Sequence, residues 1–115
     1  MPDEYVLVLT TWPADADAEA FARTIVEERL AACVNLFPPL TSIYRWQGTV
    51  EQASERQIII KTTRARVEAL KARVHDLHSY EVPELLVLPV SEGSDAYLAW
   101  IAALPRGQGA GPDGR

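Results

Sequence analysis

The residues best suited to chemistry lie in one short stretch, 78–84, which reads His-Ser-Tyr-Glu-Val-Pro-Glu. It gathers an imidazole, a phenol and two carboxylates, which an ordinary turn does not require. Neutral imidazole binds copper, zinc and nickel, and carboxylates add harder oxygen ligands. His78, Glu81 and Glu84 are therefore candidate metal ligands.

Two more residues have side chains that can bind a metal. Cys33, the single cysteine, is a soft ligand for Cu(I) as a thiolate, although a cysteine in an apolar strand is more often a small core residue. His75 precedes His78 by three residues, a spacing that can put both rings on one side of a helix. A solvated surface position explains His75 better, and a backbone hydrogen bond at a subunit contact is an equal alternative for His78.

The bulk properties narrow the class of protein. The chain has 115 residues and a formal net charge of -5, so no basic face is expected and nucleic acid is disfavoured as a partner. One cysteine excludes an intrachain disulfide. The acidic start does not resemble a signal peptide, and no apolar run reaches the roughly 20 residues that span a bilayer. These features predict a cytoplasmic protein without a membrane partner.

The hydrophobic periodicity predicts the elements that must position these side chains. The first half is predicted to contain a strand over 5–11, a helix that Asp15 or Asp17 caps and that ends by Ala32, an extended segment over 33–47 that Pro38-Pro39 interrupts as a bulge or bend, and a turn at Gly48. The second half is predicted to contain a return strand from Val50 or Ser54 to Thr62, a helix over 64–77 that Thr63 caps, a strand over 85–90, and a third helix from Gly93–Asp95 to Pro105.

This order is β-α-β-β-α-β with an extra C-terminal helix, which predicts an α+β ferredoxin-like fold with a four-stranded antiparallel sheet and a long hairpin. The predicted domain spans residues 1–104. The glycine-rich segment 105–115 has no apolar periodicity and is predicted to be a flexible tail.

The strands are apolar on both faces, although helices should cover only one. Segments 6–9, 58–60 and 85–88 do not alternate with polar residues as a solvated face requires. An exposed face of this kind would form an unusually large apolar patch. A second copy of the chain is predicted to cover it, with the third helix or the long hairpin as the alternative cover.

Four separated motifs resemble the CutA family of divalent-cation-tolerance proteins over about residues 5–104. They are Ala-Ala-Cys-Val-Asn at 31–35, Ile-Tyr-Arg-Trp-Gln-Gly at 43–48, Lys-Thr-Thr at 61–63, and the stretch 78–85. The resemblance implies a homotrimer similar to the PII signalling proteins, with the sheets facing a three-fold axis and the hairpin reaching a neighbour. Tyr44, Trp46, Lys61 and Tyr80 are then candidates for an inter-subunit cleft. Ordinary packing explains the three aromatic residues at least as well, and most charges such as that of Lys61 are simply solvated.

The resemblance also implies a role. Family members are linked to tolerance of copper and other divalent cations, and no reaction is established for the family. We therefore expect divalent metal binding with copper favoured, no enzymatic activity and no required cofactor. Two positions depart from the family pattern: Ser79 stands where proline is usual, and Thr10 stands where some members carry a cysteine. A second sulfur ligand is therefore missing.

Two alternatives belong to other functional classes. A PII-like sensor would bind a small anionic ligand between subunits, although no glycine-rich phosphate loop is present. An acylphosphatase-like enzyme would share the fold, but segment 10–13 offers no arginine to hold a phosphate. Cys33 also lacks an evident histidine or aspartate partner for nucleophilic catalysis.

Overall fold

The computed structural model describes residues 4–103, so the predicted tail 105–115 and the helix stop at Pro105 lie outside the described residues. The strands are β1 (Tyr5–Pro13), β2 (Cys33–Trp46), β3 (Thr49–Thr63) and β4 (Leu86–Pro89), and the helices are α1 (Ala18–Glu27), α2 (Val67–Leu77) and α3 (Asp95–Ala102). The strands form one antiparallel sheet in the order β2-β3-β1-β4. The predicted element order and fold class are confirmed.

Helix α1 begins and ends where local chemistry requires. The side chain of Asp17 accepts a hydrogen bond from the backbone N–H of Ala20 at 3.0 Å, which confirms Asp17 as the N-cap. Phe21 and Ile25 are buried on its inner side. The helix ends at Glu27, and Arg29 follows with a left-handed φ of 60°. The chain therefore turns toward β2 before Ala32.

Strands β2 and β3 form the long hairpin, and its turn lies at Gln47 and Gly48. Both residues have positive φ, 51° and 83°, as a two-residue type I′ turn requires. The ladder register shifts between Leu36 and Pro39, which confirms the predicted interruption at the proline pair. Arg56 Nε donates to the Phe37 carbonyl across this bulge at 2.9 Å. The described part of the chain measures 46 × 27 × 24 Å, so the fold is elongated.

Helices α1 and α2 cover one face of the sheet and enclose the core. The inward positions of β1 and β3, such as Val8 and Ile60, are fully buried, as are Leu70 and Val74 of α2. The expected cap of α2 was wrong. Thr63 remains extended and paired in β3, its side chain makes no capping hydrogen bond, and a 3₁₀ turn over Arg64–Arg66 precedes the helix.

The opposite face of the sheet, which we call the helix-free face, is only partly covered. Ser94 caps α3, and this helix contacts the face where Lys61 Nζ lies 5.8 Å from the centre of the Tyr97 ring. Leu86 and Leu88 of β4 remain 56% and 41% exposed. The third helix therefore covers part of the face, and an apolar edge is left in solvent. No helix within residues 4–103 has the length and hydropathy of a membrane span.

Candidate functional site

A cleft of about 700 Å³ lies between the hairpin and the stretch 78–84, which we call the corner. The hairpin contributes the side chains of Ser42, Tyr44, Trp46, Glu51 and Glu55 to its lining. The corner contributes residues 79–84, and Thr11 of β1 completes the set. Ser42, Tyr44 and Trp46 share one side because alternate residues of a strand face the same way.

His78 fixes the corner to the end of β1. Its Nδ1 accepts a hydrogen bond from the backbone N–H of Tyr80 at 3.0 Å, so the ring proton must be on Nε2, which donates to the Thr11 carbonyl at 2.7 Å. The ring lies 4.3 Å from that of Trp12 and 4.7 Å from that of Tyr80, centre to centre. Both nitrogens of the neutral imidazole are therefore engaged within the chain.

Tyr80 connects the corner to the hairpin. Its hydroxyl donates to Glu55 Oε2 at 2.8 Å, and Glu55 is only 7% exposed. Burial, followed by the hydrogen bond to Glu55 and its charge, raises the pKa of Tyr80 to about 12, with smaller contributions from Tyr44 and Asp15. The phenol therefore stays neutral and keeps the proton that it donates to Glu55.

A third contact lies at the far end of the corner. Gln57 Nε2 donates both to Glu84 Oε2 at 3.0 Å and to the Thr10 carbonyl at 2.8 Å. Glu81, in contrast, is exposed at the mouth of the cleft. The two candidate carboxylates of the corner thus line the same cleft with different freedom to bind a ligand.

The structure brings together five of the eight candidate residues. Those lining the cleft are Tyr44, Trp46, Tyr80, Glu81 and Glu84. His78 lies directly behind it, while Cys33 pairs with Lys61 at the other end of the ladder, where β1 contributes Leu7. Lys61 contacts Tyr97 and is not among the lining residues.

Glu51 and Glu55 line the cleft although sequence reasoning did not select them. Glu51 lies opposite Tyr44 in the β2–β3 ladder, so the hairpin register alone would have placed it beside a selected residue. The sequence indicates Glu55 less clearly, because the burial of its side chain depends on Tyr80, which is 25 residues away in sequence.

The described part of one chain does not supply a complete set of metal ligands. Within residues 4–103, no three histidine, cysteine, aspartate or glutamate side chains form a group that could hold an ion. The His78 nitrogens are occupied by hydrogen bonds, and Cys33 lies near the other end of the sheet. The proposed metal ligands therefore remain a prediction, because the fold of one chain does not bring them together.

The charge of the cleft is one-sided. Glu51, Glu55, Glu81 and Glu84 contribute four carboxylates, and no lysine or arginine of residues 4–103 is among the lining residues. A cleft lined by one sign of charge concentrates ligands of the opposite sign. The geometry therefore favours a cationic ligand over an anionic one.

Because the folded protein holds His78 in its neutral form, we predict that the free energy of unfolding falls in acid. Burial lowers the pKa of folded His78 below its ordinary value of 6.5, although the Thr11 carbonyl and the Glu55 charge oppose this shift. The unfolded chain therefore takes up the proton first, so the free energy of unfolding should fall as the pH drops through 6.5 toward the folded pKa. Denaturation at pH 7.5 and 5.5 measures the slope of the free energy of unfolding against pH. A His78→Gln variant with the same slope would contradict the assignment.

The fold and the cleft define a ferredoxin-like α+β domain with an extended hairpin and a ligand cleft where the hairpin meets the corner. A sequence model described as the CutA1 divalent ion tolerance protein matches residues 6–104. The chain belongs to this family.

Relatives of known name and structure agree with this membership. The divalent-cation tolerance protein CutA of Thermus thermophilus is 50% identical over 95 residues, which cover 83% of this chain and 92% of the relative. A solved Thermus thermophilus structure of this kind superposes with a TM-score of 0.82 at 49% identity and covers 85% of this chain and 95% of its own. A PII-like protein CutA from Nostoc gives a TM-score of 0.80 at 36% identity and covers 86% and 95%.

Proposed function

We propose that this protein is a cytoplasmic homotrimer that binds divalent metal ions and contributes to the response to metal ions, without catalysing a reaction. The observation that carries the proposal is the cleft, which the described part of the chain lines with four carboxylates and no basic side chain. Membership of a divalent-cation tolerance family supports the same class of ligand.

The proposal of a trimer is supported by the apolar surface that one chain leaves uncovered. Leu86 and Leu88 are exposed on the helix-free face, and Ile43 and Val50 near the hairpin tip are 70% and 60% exposed. Apolar side chains concentrated on one face and at one projecting tip are typical of surfaces that become buried by association. A neighbouring subunit that accepts the tip would bury both.

Assembly also supplies what the metal site of one chain lacks. Glu81 offers carboxylate oxygens at the mouth of the cleft and Glu84 at the far end of the corner, and a neighbouring subunit would add the remaining ligands. Oxygen donors suit harder ions, whereas copper, the metal that the resemblance led us to favour, prefers nitrogen or sulfur. Copper binding through His78 would require one imidazole nitrogen to leave its hydrogen bond.

The second candidate function, a sensor of a small anionic ligand, has less support from the geometry. An anion in the cleft would meet four carboxylates, and Lys61 does not line it. We therefore favour the cation-binding role over the role as a sensor of an anionic ligand. A thermal shift produced by a nucleotide and not by metal ions would reverse that order.

Removing the two corner carboxylates should weaken metal binding. Calorimetric titration with Cu²⁺ and with Mn²⁺ is expected to show at least a tenfold weaker affinity in Glu81→Gln/Glu84→Gln, because two anionic oxygen ligands become neutral. Glu27→Gln/Glu68→Gln changes the charge equally on exposed helix positions and should bind like the unsubstituted protein.

Equal losses of metal affinity in the corner variant and the helix variant would show that metal binding depends only on the net charge of the protein. If the affinity for Cu²⁺ is unchanged by the corner substitutions and is lost in Cys33→Ser, the metal site lies at the other end of the sheet. Either result would remove the cleft from the proposed metal-binding role.

A further inference from the structure

We propose that Gln57 is a positioning residue for metal binding, because its side-chain amide holds the Glu84 carboxylate in the orientation that receives a divalent cation. The inference rests on the proposed metal-binding role and adds a residue that is not itself a ligand. Three observations support it: the two hydrogen bonds of one amide group, the place of Gln57 in the sheet, and the contrast between Glu84 and Glu81.

Two acceptors fix the orientation of the Gln57 amide. Its Nε2 donates to the Thr10 carbonyl at 2.8 Å and to Glu84 Oε2 at 3.0 Å. A backbone carbonyl can only accept, so the nitrogen of the amide, and not its oxygen, must face Thr10. The same nitrogen has a second hydrogen for Glu84. The amide therefore has one orientation, in which a donor faces the carboxylate.

The backbone that carries this amide lies inside the sheet and away from the hairpin tip. Gln57 lies opposite Thr11 of β1, on β3, which has β1 on one side and β2 on the other. The next residue of β3, Ile58, is fully buried in the core. Thr10 follows the last pair of the β1–β4 ladder, so its carbonyl takes a side-chain donor there. Both groups that hold the amide thus belong to inner strands.

Glu84 is the carboxylate that gains from this support. It is half-buried, and within residues 4–103 its side chain makes no hydrogen bond other than that to Gln57. Glu81 is exposed, and no hydrogen bond in the described part of the chain orients it. Carboxylates that bind metals are typically held by such outer partners, and loss of the partner costs about 10–100-fold in affinity. Glu84 is therefore the preoriented carboxylate of the corner.

The neutrality of the amide suits a cationic ligand. A lysine or arginine at position 57 could also donate to Glu84, but its charge would offset that of the carboxylate and would repel a metal ion. The amide of Gln57 orients the carboxylate without adding a positive charge to the cleft. Orientation and attraction are thus supplied by different residues.

Calorimetric titration of Mn²⁺ into the full chain tests this role through a double-substitution cycle. Gln57→Met keeps a similar side-chain length without the donor and should weaken Mn²⁺ binding about tenfold. In a Glu84→Ala background the same substitution should change the affinity by less than about twofold, because the carboxylate that Gln57 holds is absent. In a Glu81→Ala background the loss should remain about tenfold, since Gln57 does not act through Glu81.

A measurement without metal detects the same contact. The side-chain NH₂ signals of Gln57 in a ¹H–¹⁵N spectrum are identified by their absence in Gln57→Met. They should shift in Glu84→Ala, which removes one of the two acceptors, and stay in place in Glu81→Ala. The rest of each spectrum shows whether the substituted protein is folded.

The outcomes separate the role of Gln57 from the metal-binding role. Gln57 is not a positioning residue if the unsubstituted protein binds Mn²⁺ and Gln57→Met binds it equally well. The same conclusion follows if Gln57→Met loses affinity by one factor in all three backgrounds, or if the Gln57 signals do not move in Glu84→Ala. If the unsubstituted protein does not bind Mn²⁺, the metal-binding role fails and the role of Gln57 fails with it.

Discussion

The Leu88→Glu variant will scatter light as a single chain of 12.7 kDa, whereas the unsubstituted protein will scatter as three such chains. Leu88 lies on β4 opposite Leu7, on the helix-free face, and is 41% exposed in one chain. If association covers this face, the substitution brings a carboxylate into an apolar contact in every subunit at once. A buried charge without a partner costs several kcal/mol per subunit, which is enough to dissociate the assembly at micromolar concentration.

Val26→Glu is the matched control for this prediction. Val26 is also 41% exposed, but it lies on α1, in the helical layer on the other side of the sheet. Its substitution adds the same charge and should leave the trimer intact. If both variants dissociate, or if the unsubstituted protein already has the mass of one chain, the helix-free face is not the subunit contact.

His78→Ala will lower the free energy of unfolding by about 3 kcal/mol. The substitution removes the hydrogen bond to Thr11, leaves the backbone N–H of Tyr80 without its acceptor, and opens a cavity beside Trp12. A buried hydrogen bond contributes about 1 kcal/mol, and removal of a large buried side chain adds a further 2 kcal/mol or more. Urea denaturation at fixed protein concentration measures the change.

His75→Ala gives the comparison at the other histidine of the chain. His75 is exposed one turn earlier on α2, so its removal should change the free energy of unfolding by less than about 0.5 kcal/mol. Equal effects at the two positions would mean that the corner is not held by the His78 ring. The structural role described for His78 would then be wrong.

The fold was largely predictable because its signals are local. The spacing of Phe21 and Ile25, the turn at Gly48 and the two-faced apolar strands each indicate one element. The start of α2 was less predictable. A threonine before a helical pattern is typical of a cap, but pairing with Tyr5 across the sheet holds Thr63 in β3, and a sequence alone does not show that competition.

The site was only partly predictable because its chemistry depends on distant contacts. The sequence indicates that His78, Glu81 and Glu84 share a corner, yet it does not show that a backbone N–H and a carbonyl occupy the imidazole of His78. It likewise does not show that Glu55 is buried against Tyr80. Residue type suggested a metal-binding imidazole, while tertiary geometry makes the same ring a structural support.

The location of bound metal tests the proposed metal-binding role most directly. Crystals soaked in Cu²⁺ and measured at the copper absorption edge show the ion as an anomalous peak. We predict a peak in the cleft within ligand distance of a Glu81 or Glu84 carboxylate, with a neighbouring subunit completing the coordination. A peak at Cys33 alone, or no peak in the cleft at saturating Cu²⁺, would contradict the assignment of this cleft as the metal site.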